Sequence, residues 1–292
     1  MRSIALGVAV ALAWGPVLWA ADDKPDKKDQ APADEVKSLI ADYEKAQTEF
    51  YTKYGQAKTE QERTKLLSEM PQPDKTAARL FELAQKHPND EGVCPKALIW
   101  VIQYGHYSGA RMEARTKALD QLCRDHAKSD QVGQVVLSLT YTPSPEGEKF
   151  LRAVADSNPK AEIKGKAMYA LGQYLKNTAE YSRGLKDHPD NPKDLESYAG
   201  KDAIKYLQES DPGKMDKEAE RVFETVADKY ADIELYPKHT LGEMAKGELF
   251  EIRNLAIGMI APDIEGDDLD GKAFKLSEYR GKVVILDFWG NW

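Results

Sequence analysis

Most of the chain carries a helical pattern of apolar residues, and this pattern limits the fold more than any other feature does. Between residues 35 and 253 apolar side chains recur at three- and four-residue spacing, as at Ala78, Phe81 and Ala84. Long runs of β-branched residues are absent from this stretch, and turns rich in Pro, Asn and Asp divide it. The sequence therefore predicts a mainly α-helical region of helices joined by tight turns.

The helices also form a weak internal repeat. Four similar apolar segments are centred on Phe81, Leu119, Leu151 and Phe223. Each is followed by a second apolar segment that predicts a helix, over residues 97–102, 135–139, 167–175 and 241–252. A helix–turn–helix unit of about 34 residues is the tetratricopeptide period, in which each helix pair buries its apolar face on the next pair. We predict a tetratricopeptide-like helical-repeat domain over residues 35–254. An irregular helical bundle is the alternative, and residues 177–212 fit the repeat least.

The charge of the chain excludes one class of partner. The 292 residues carry 41 basic and 49 acidic side chains, a net charge of −8, and the acidic residues are spread along the chain. A nucleic-acid-binding protein needs a basic face to neutralise phosphates. We therefore expect no nucleic-acid partner and interpret the charged residues as a solvated surface.

The N-terminal segment predicts export. Arg2 precedes an almost wholly apolar stretch over residues 4–19, and the alanines at 20–21 offer a small-residue cleavage site. We therefore predict a signal peptide over residues 1–21 and a periplasmic location. Because the apolar stretch is interrupted and the cleavage site is imperfect, an uncleaved membrane anchor is the alternative. Residues 22–34 are rich in Lys, Asp and Pro and predict a disordered linker.

The pattern changes abruptly after Asn254. Residues 282–289 combine four consecutive aliphatic residues with aromatic ones, which is typical of a strand buried on both faces of a sheet. Before this run, an Asp-Gly pair at 270–271 predicts a hairpin turn, and residues 276–281 predict one helical turn closed by a glycine. We therefore predict a second segment over residues 255–292 that contains the first β elements of an α/β fold.

Four short motifs follow one another in this C-terminal segment. They are Ala261-Pro262-Asp263, Asp270-Gly271-Lys272, Gly281-Lys282-Val283-Val284 and Phe288-Trp289-Gly290-Asn291-Trp292. In this order and spacing they resemble the opening of the redoxin branch of the thioredoxin superfamily, and within it the exported TlpA-like thiol–disulfide oxidoreductases most. The resemblance covers residues 258–292 and implies a thioredoxin-like α/β fold for them.

The resemblance also implies a dithiol site directly after Trp292. In those proteins Phe-Trp-x-x-Trp continues into Cys-x-x-Cys at a helix N-terminus, where the helix dipole lowers the pKa of the first thiol. The second cysteine resolves the mixed disulfide, and protein thiols and disulfides are the implied partners. Since the chain stops at Trp292, we expect it to lack the catalytic cysteines and to be inactive by itself.

The implied scaffold of that site consists of four residues. Trp292 would flank the nucleophile, and Phe288 and Trp289 belong to the supporting strand. Asp287 is either the buried acid that helps move the proton of the resolving thiol or a strand-end residue that faces solvent.

Two other functions stay open. Peroxiredoxins of the AhpC/TSA type, which are antioxidant peroxidases, share the Ala-Pro-Asp opening and the Gly-Lys-Val-Val strand but usually replace Trp-x-x-Trp by a Pro-containing turn with one peroxidatic cysteine. A periplasmic helical-repeat scaffold with a vestigial redoxin tail belongs to a different class. In each case the concave face of the helical domain would offer a docking surface to a peptide or protein partner.

The two cysteines, Cys94 and Cys123, are the remaining candidate residues. They stand in consecutive predicted helices and would close a loop of 28 intervening residues in a structural disulfide, which an oxidising periplasm permits. Two buried free thiols are the alternative. The five histidines show no metal-ligand spacing, and nucleotide-binding and hydrolase motifs are absent, so we predict neither a metal nor a cofactor.

Overall fold

The protein is mainly helical, as the sequence predicts. The computed structural model describes residues 31–104, 110–187, 200–256 and 258–288. The helices in these ranges are α1 (Pro32–Gln56), α2 (Glu60–Leu67), α3 (Asp74–Lys86), α4 (Cys94–Tyr104), α5 (Ala110–His126), α6 (Pro145–Ser157), α7 (Ala161–Asp187), α8 (Lys201–Glu209), α9 (Pro212–Lys229) and α10 (Leu241–Asn254). None of these helices contains a stretch long and apolar enough to cross a membrane.

The N-terminal helix begins earlier than predicted. The predicted signal peptide over residues 1–21 lies outside the described residues, and so do residues 22–30 of the predicted linker. Helix α1 begins at Pro32, so the last three residues of that linker are helical. Proline is favourable at the first helical position, and Asp34 and Glu35 complement the positive end of the helix dipole.

Most helices pack against their neighbours in the chain. Helix α3 contacts α4, α4 contacts α5, α5 contacts α6, and α6 contacts α7. Helix α9 then packs on both α7 and α10. One continuous apolar core runs through these contacts. Most of these helices bury an apolar stripe and expose the opposite face, whereas α4 is buried or partly buried along its whole length.

One predicted helix is replaced by two short 3₁₀ turns. The second helix of the second repeat was expected near residues 135–139, but the structure has 3₁₀ turns at Asp130–Gln134 and Val136–Leu139. Three valines and a glycine within a few residues give this stretch a poor intrinsic preference for the α-helix. Its valines and Leu139 are nevertheless fully buried, so the predicted apolar contact is made without a regular helix.

The longest of the described helices extends into the region that fits the repeat least. Helix α7 spans 27 residues and continues beyond the predicted apolar segment at 167–175 as far as Asp187. Two glycines on one face of α7 allow α9 to approach closely. An ideal Cβ atom on Gly172 would lie 2.7 Å from Phe223, and one on Gly165 would lie 3.0 Å from Tyr230.

The hairpin and the helical turn of the C-terminal segment form as predicted. Strands β3 (Glu265–Asp267) and β4 (Ala273–Lys275) pair antiparallel around the Asp-Gly turn, and a 3₁₀ turn follows at Leu276–Tyr279. Gly271 and Gly281 have φ angles of 75° and 84°, which glycine adopts without steric cost. A shorter hairpin, β1 (Glu234–Tyr236) and β2 (His239–Thr240), precedes α10.

The predicted buried strand over residues 282–289 does not form in the described part of the chain. Residues 282–288 have no strand hydrogen bonding, and Val283, Ile285 and Phe288 are 97%, 91% and 82% exposed. An apolar run of this kind is stable as a strand only when neighbouring strands pair with it and both faces are covered. The described residues supply neither a pairing strand nor a cover for the two faces. The apolar run alone is therefore not enough to make this segment a strand.

Candidate functional site

A carboxylate holds the two halves of the redoxin-like segment together. Asp263 accepts hydrogen bonds from the backbone N–H and the hydroxyl of Ser277, both at 2.7 Å. The backbone N–H of Leu276 donates to the carbonyl of Ile264 at 2.9 Å beside this contact. The hydrogen bonds from Ser277 lower the pKa of Asp263. The Asp of the Ala-Pro-Asp motif is therefore hydrogen-bonded to the 3₁₀ turn at Leu276–Tyr279, which connects the start of the segment to the turn before Phe288.

The hairpin between these two parts is stabilised by contacts among its own residues. The Asp268 carboxylate accepts hydrogen bonds from the backbone N–H groups of Asp270 and Lys272, both at 2.9 Å. Lys275 and Glu265 form a cross-strand ion pair at 2.5 Å. Local side-chain-to-backbone bonds of this kind specify the turn without help from a sheet.

The predicted scaffold residues of the reactive site are only partly described. Asp287 is exposed to solvent in this structure, and both of its predicted roles stay predictions. Phe288 is also exposed, because no sheet covers the segment that carries it. Trp289 and Trp292 lie outside the described residues.

The two cysteines are free thiols in this structure and are not joined in the disulfide that the sequence offers as one of two alternatives. Cys94 is fully buried and its sulfur accepts a hydrogen bond from Gln121 at 3.4 Å, whereas the sulfur of Cys123 lies 3.8 Å from the carbonyl of Lys149. Gln121 and Cys123 are two residues apart on α5, a rotation of about 200°, so the helix turns Cys123 away from Cys94.

Neither thiol has the environment of a reactive cysteine. Burial raises the pKa of Cys94 to about 11, with a smaller contribution from nearby carboxylates. Burial also raises the pKa of Cys123. A redox-active thiol needs the opposite shift, because the thiolate is the nucleophile.

A groove in the helical part is a second candidate site. It has a volume of ≈ 700 Å³ and is lined by residues of the 3₁₀ turns, α7, β1 and α10. Tyr141 and Tyr236 are its exposed aromatic residues, at 63% and 38%, whereas Tyr169 is buried. Cavities of this size accommodate small ligands or short pieces of a peptide.

Gln173 organises the inner part of this groove. Its amide donates hydrogen bonds to the Tyr169 hydroxyl at 2.8 Å and to the Glu248 carboxylate at 2.6 Å. Burial, assisted by the Glu248 charge, raises the pKa of Tyr169, so the phenol stays protonated at neutral pH. Sequence reasoning missed these residues because they come from separate elements. The one local signal is the four-residue spacing of Tyr169 and Gln173 on a helix.

Comparison with curated proteins gives short matches to thiol–disulfide oxidoreductases. The chain is 50% identical over 38 residues to the thiol–disulfide oxidoreductase ResA of Geobacillus thermodenitrificans and 53% identical over 38 residues to that of Geobacillus kaustophilus. It is 38% identical over 47 residues to the ResA of Bacillus thuringiensis subsp. konkukian. No family model and no solved structure matches the chain.

These matches cover a small part of either protein. They include 13% to 16% of this chain, and the chain spans between 22% and 27% of the length of those relatives. Within that stretch the chain is similar to thiol–disulfide oxidoreductases, which have a thioredoxin-like character.

Proposed function

We propose that this chain belongs to an exported thiol–disulfide oxidoreductase of the thioredoxin-like, TlpA/redoxin type. In this proposal residues 35–254 are a tetratricopeptide-like helical-repeat domain and residues 255–292 belong to the redox domain. The similarity to ResA over 38 residues carries the proposal, together with the four motifs between Ala261 and Trp292. The hydrogen bonds of Asp263 support it, because they give the Asp of the Ala-Pro-Asp motif a structural role in that segment.

The proposed reaction is thiol–disulfide exchange with a protein substrate. A cysteine thiolate attacks a disulfide sulfur of the substrate, and one substrate thiolate leaves as the mixed disulfide forms. A second cysteine attacks that mixed disulfide, releases the reduced substrate and leaves the enzyme oxidised. Cys94 and Cys123 are unsuited to these roles because burial raises the pKa of both and they lie apart. In this proposal the reactive pair follows Trp292, and residues 1–292 alone have no such activity.

The test is to read the coding sequence beyond residue 292 and to assay the protein it encodes. We expect a Cys-x-x-Cys within the next few codons, and we expect the complete protein to accelerate the reduction of insulin by dithiothreitol. Replacing both motif cysteines by serine is the matched control and should abolish this activity.

The same experiment separates the alternatives. Consumption of hydrogen peroxide without insulin reduction would replace the proposal by a peroxiredoxin-type peroxidase. A stop codon directly after Trp292 would leave a helical-repeat scaffold.

The proposed export has its own test. The protein recovered from a periplasmic fraction should begin directly after Ala21 when its N-terminus is sequenced, because residues 1–21 have the composition of a cleaved signal peptide. A periplasmic protein that retains Met1 would indicate the uncleaved anchor. Retention of the protein in the cytoplasm would contradict export.

A further inference from the structure

The edge of the groove is held in place before any ligand binds. The backbone carbonyl of Thr140 accepts a hydrogen bond from Asn177 of α7 at 3.0 Å, which fixes the residue next to Tyr141. On the other side, Tyr236 belongs to the β1–β2 hairpin, which is joined to α10 where Leu241 N–H donates to the Ile233 carbonyl at 2.7 Å. The two exposed tyrosines are therefore presented by fixed backbone, which reduces the entropy lost on binding.

The charged residues of the groove are already paired. Lys166 forms an ion pair with Glu162 at 2.6 Å, and Glu248 forms one with Lys176 at 2.7 Å. No other charged side chain among the described residues lines the groove. A ligand with a net charge would therefore find no free opposite charge here, which favours a neutral ligand.

The remaining polar groups are neutral ones that match a peptide backbone. The Tyr169 hydroxyl accepts a hydrogen bond from Gln173 and keeps its own O–H as a donor. Gln134 adds an exposed amide that both donates and accepts. Peptide groups need both kinds of partner, and the exposed rings of Tyr141 and Tyr236 offer apolar surface to a side chain.

We propose that this groove binds an extended, uncharged segment of a polypeptide that carries a large apolar side chain, with Tyr141 and Tyr236 contacting that side chain and Tyr169 bonding to the adjacent backbone. The choice of a polypeptide rests on the proposed function, in which the substrate is a protein with a disulfide. The groove would hold a flexible part of that substrate while its disulfide reacts elsewhere.

The test is a calorimetric titration of the chain with an acetylated and amidated peptide, Gly-Ser-Gln-Phe-Leu-Gln-Ser-Gly. We expect binding that weakens about tenfold or more in Tyr141→Ala and in Tyr236→Ala, because exposed aromatic anchors dominate such contacts. Tyr51→Ala is the matched control, since Tyr51 is 55% exposed on α1 and does not line the groove. This control should bind like the original chain.

Two further comparisons make the result specific. Tyr169→Phe keeps the ring and removes only the hydroxyl, so it should weaken binding about three- to tenfold without altering the unfolding midpoint by more than a few degrees. Peptides with Ala in place of Phe and Leu should bind more weakly, and peptides with Glu or Lys in place of Gln should bind no more tightly.

Three outcomes would overturn the proposal. They are absence of binding, equal weakening by Tyr51→Ala and Tyr141→Ala, and binding of an oligosaccharide such as chitohexaose instead of the peptide. Failure of the groove is distinguishable from failure of the redox function, because the titration needs no reactive cysteine. If the complete protein reduces insulin but binds no peptide, the proposal of peptide binding in the groove is wrong and the proposed redox function stands.

Discussion

At the scale of single residues, Asn158 joins two loops of the helical region. It is almost fully buried, and its amide N–H groups donate to the carbonyls of Ala127 and Ser129 at 3.0 and 3.1 Å. Its side-chain oxygen accepts from the backbone N–H of Lys160 at 3.0 Å. We expect Asn158→Ala to lower the free energy of unfolding by about 2–4 kcal/mol, because it leaves buried carbonyls without donors.

Urea unfolding measures this cost, and the neighbouring residue provides its control. Ser157 is exposed, and its hydroxyl donates a hydrogen bond to the carbonyl of Ala153 in its own helix. Ser157→Ala should therefore stay within about 0.5 kcal/mol of the original chain. Equal midpoints for the two variants would show that Asn158 does not stabilise the loops.

A second prediction at this scale concerns the pH dependence given by Cys94. Its folded pKa of about 11 lies above the ordinary value of 9.0, chiefly because of burial. The neutral thiol therefore contributes stability that is fully present below pH 9 and is lost as the pH rises towards 11. We expect the difference in unfolding free energy between the original chain and Cys94→Ala to shrink by up to about 2 kcal/mol over this interval.

The measurement is a series of urea titrations between pH 8 and pH 11 under reducing conditions. Taking the difference between the two proteins removes the titration of groups that they share. A difference that stays constant with pH would mean that Cys94 ionises equally in the folded and unfolded states.

Single residues also show how far sequence reasoning reaches. The Asn158-Pro159 pair predicts a turn, because both residue types favour one locally. Asn158 also bonds to the loop after α5, whose residues lie about thirty positions earlier in the chain. No local sequence pattern predicts this contact. The same limit applies to Cys94 and Cys123, because the rotation of α5 sets the direction of Cys123, and their separation in sequence does not show it.

At the scale of elements, the contact between α7 and α9 depends on glycine. An ideal Cβ atom on Gly172 would lie between 2.7 and 3.0 Å from three ring carbons of Phe223, which is fully buried and cannot move aside easily. We expect Gly172→Ala to lower the free energy of unfolding by about 1–3 kcal/mol, although alanine is the better helix former. Thermal or urea unfolding measures the change.

The same helix supplies the control. Gly184 also lies in α7, but no atom stands within 4 Å of its ideal Cβ position. Gly184→Ala should therefore leave stability unchanged or raise it by up to about 1 kcal/mol. If both substitutions stabilise the chain, Phe223 of α9 does not pack as closely against Gly172 of α7 as the structure indicates.

Elements also differ in how well the sequence predicts them. The Asp-Gly hairpin and the glycine-closed turn of the C-terminal segment depend on chemistry within a few residues, and both were predicted correctly. Residues 135–139 were predicted as a helix because their apolar residues resemble the apolar face of one, but the structure has 3₁₀ turns there. The strand at 282–289 was predicted from its apolar run, but pairing partners decide whether a strand forms.

At the scale of the whole molecule, the change of sequence pattern near residue 254 coincides with the end of the core. Every buried or partly buried member of the main apolar cluster among the described residues lies between Ala33 and Ile252. Residues 258–288 add none, and their hairpin is held by its own hydrogen bonds. The helical region should therefore be independent of the segment that follows it.

Removing residues 257–292 tests this independence. We expect the shortened chain to keep its helical circular dichroism and its urea midpoint, because the described residues 258–288 contribute nothing to the apolar core. It should also bind less of the apolar dye anilinonaphthalene sulfonate, since Val283, Ile285 and Phe288 are exposed.

Truncation after Lys229 is the contrasting variant. It removes Leu241 and Ala245, which are fully buried in the core, and should destabilise the chain by several kcal/mol. A lower midpoint in the first truncation would instead show that the redoxin-like segment stabilises the helices, which would make the two regions one cooperative unit.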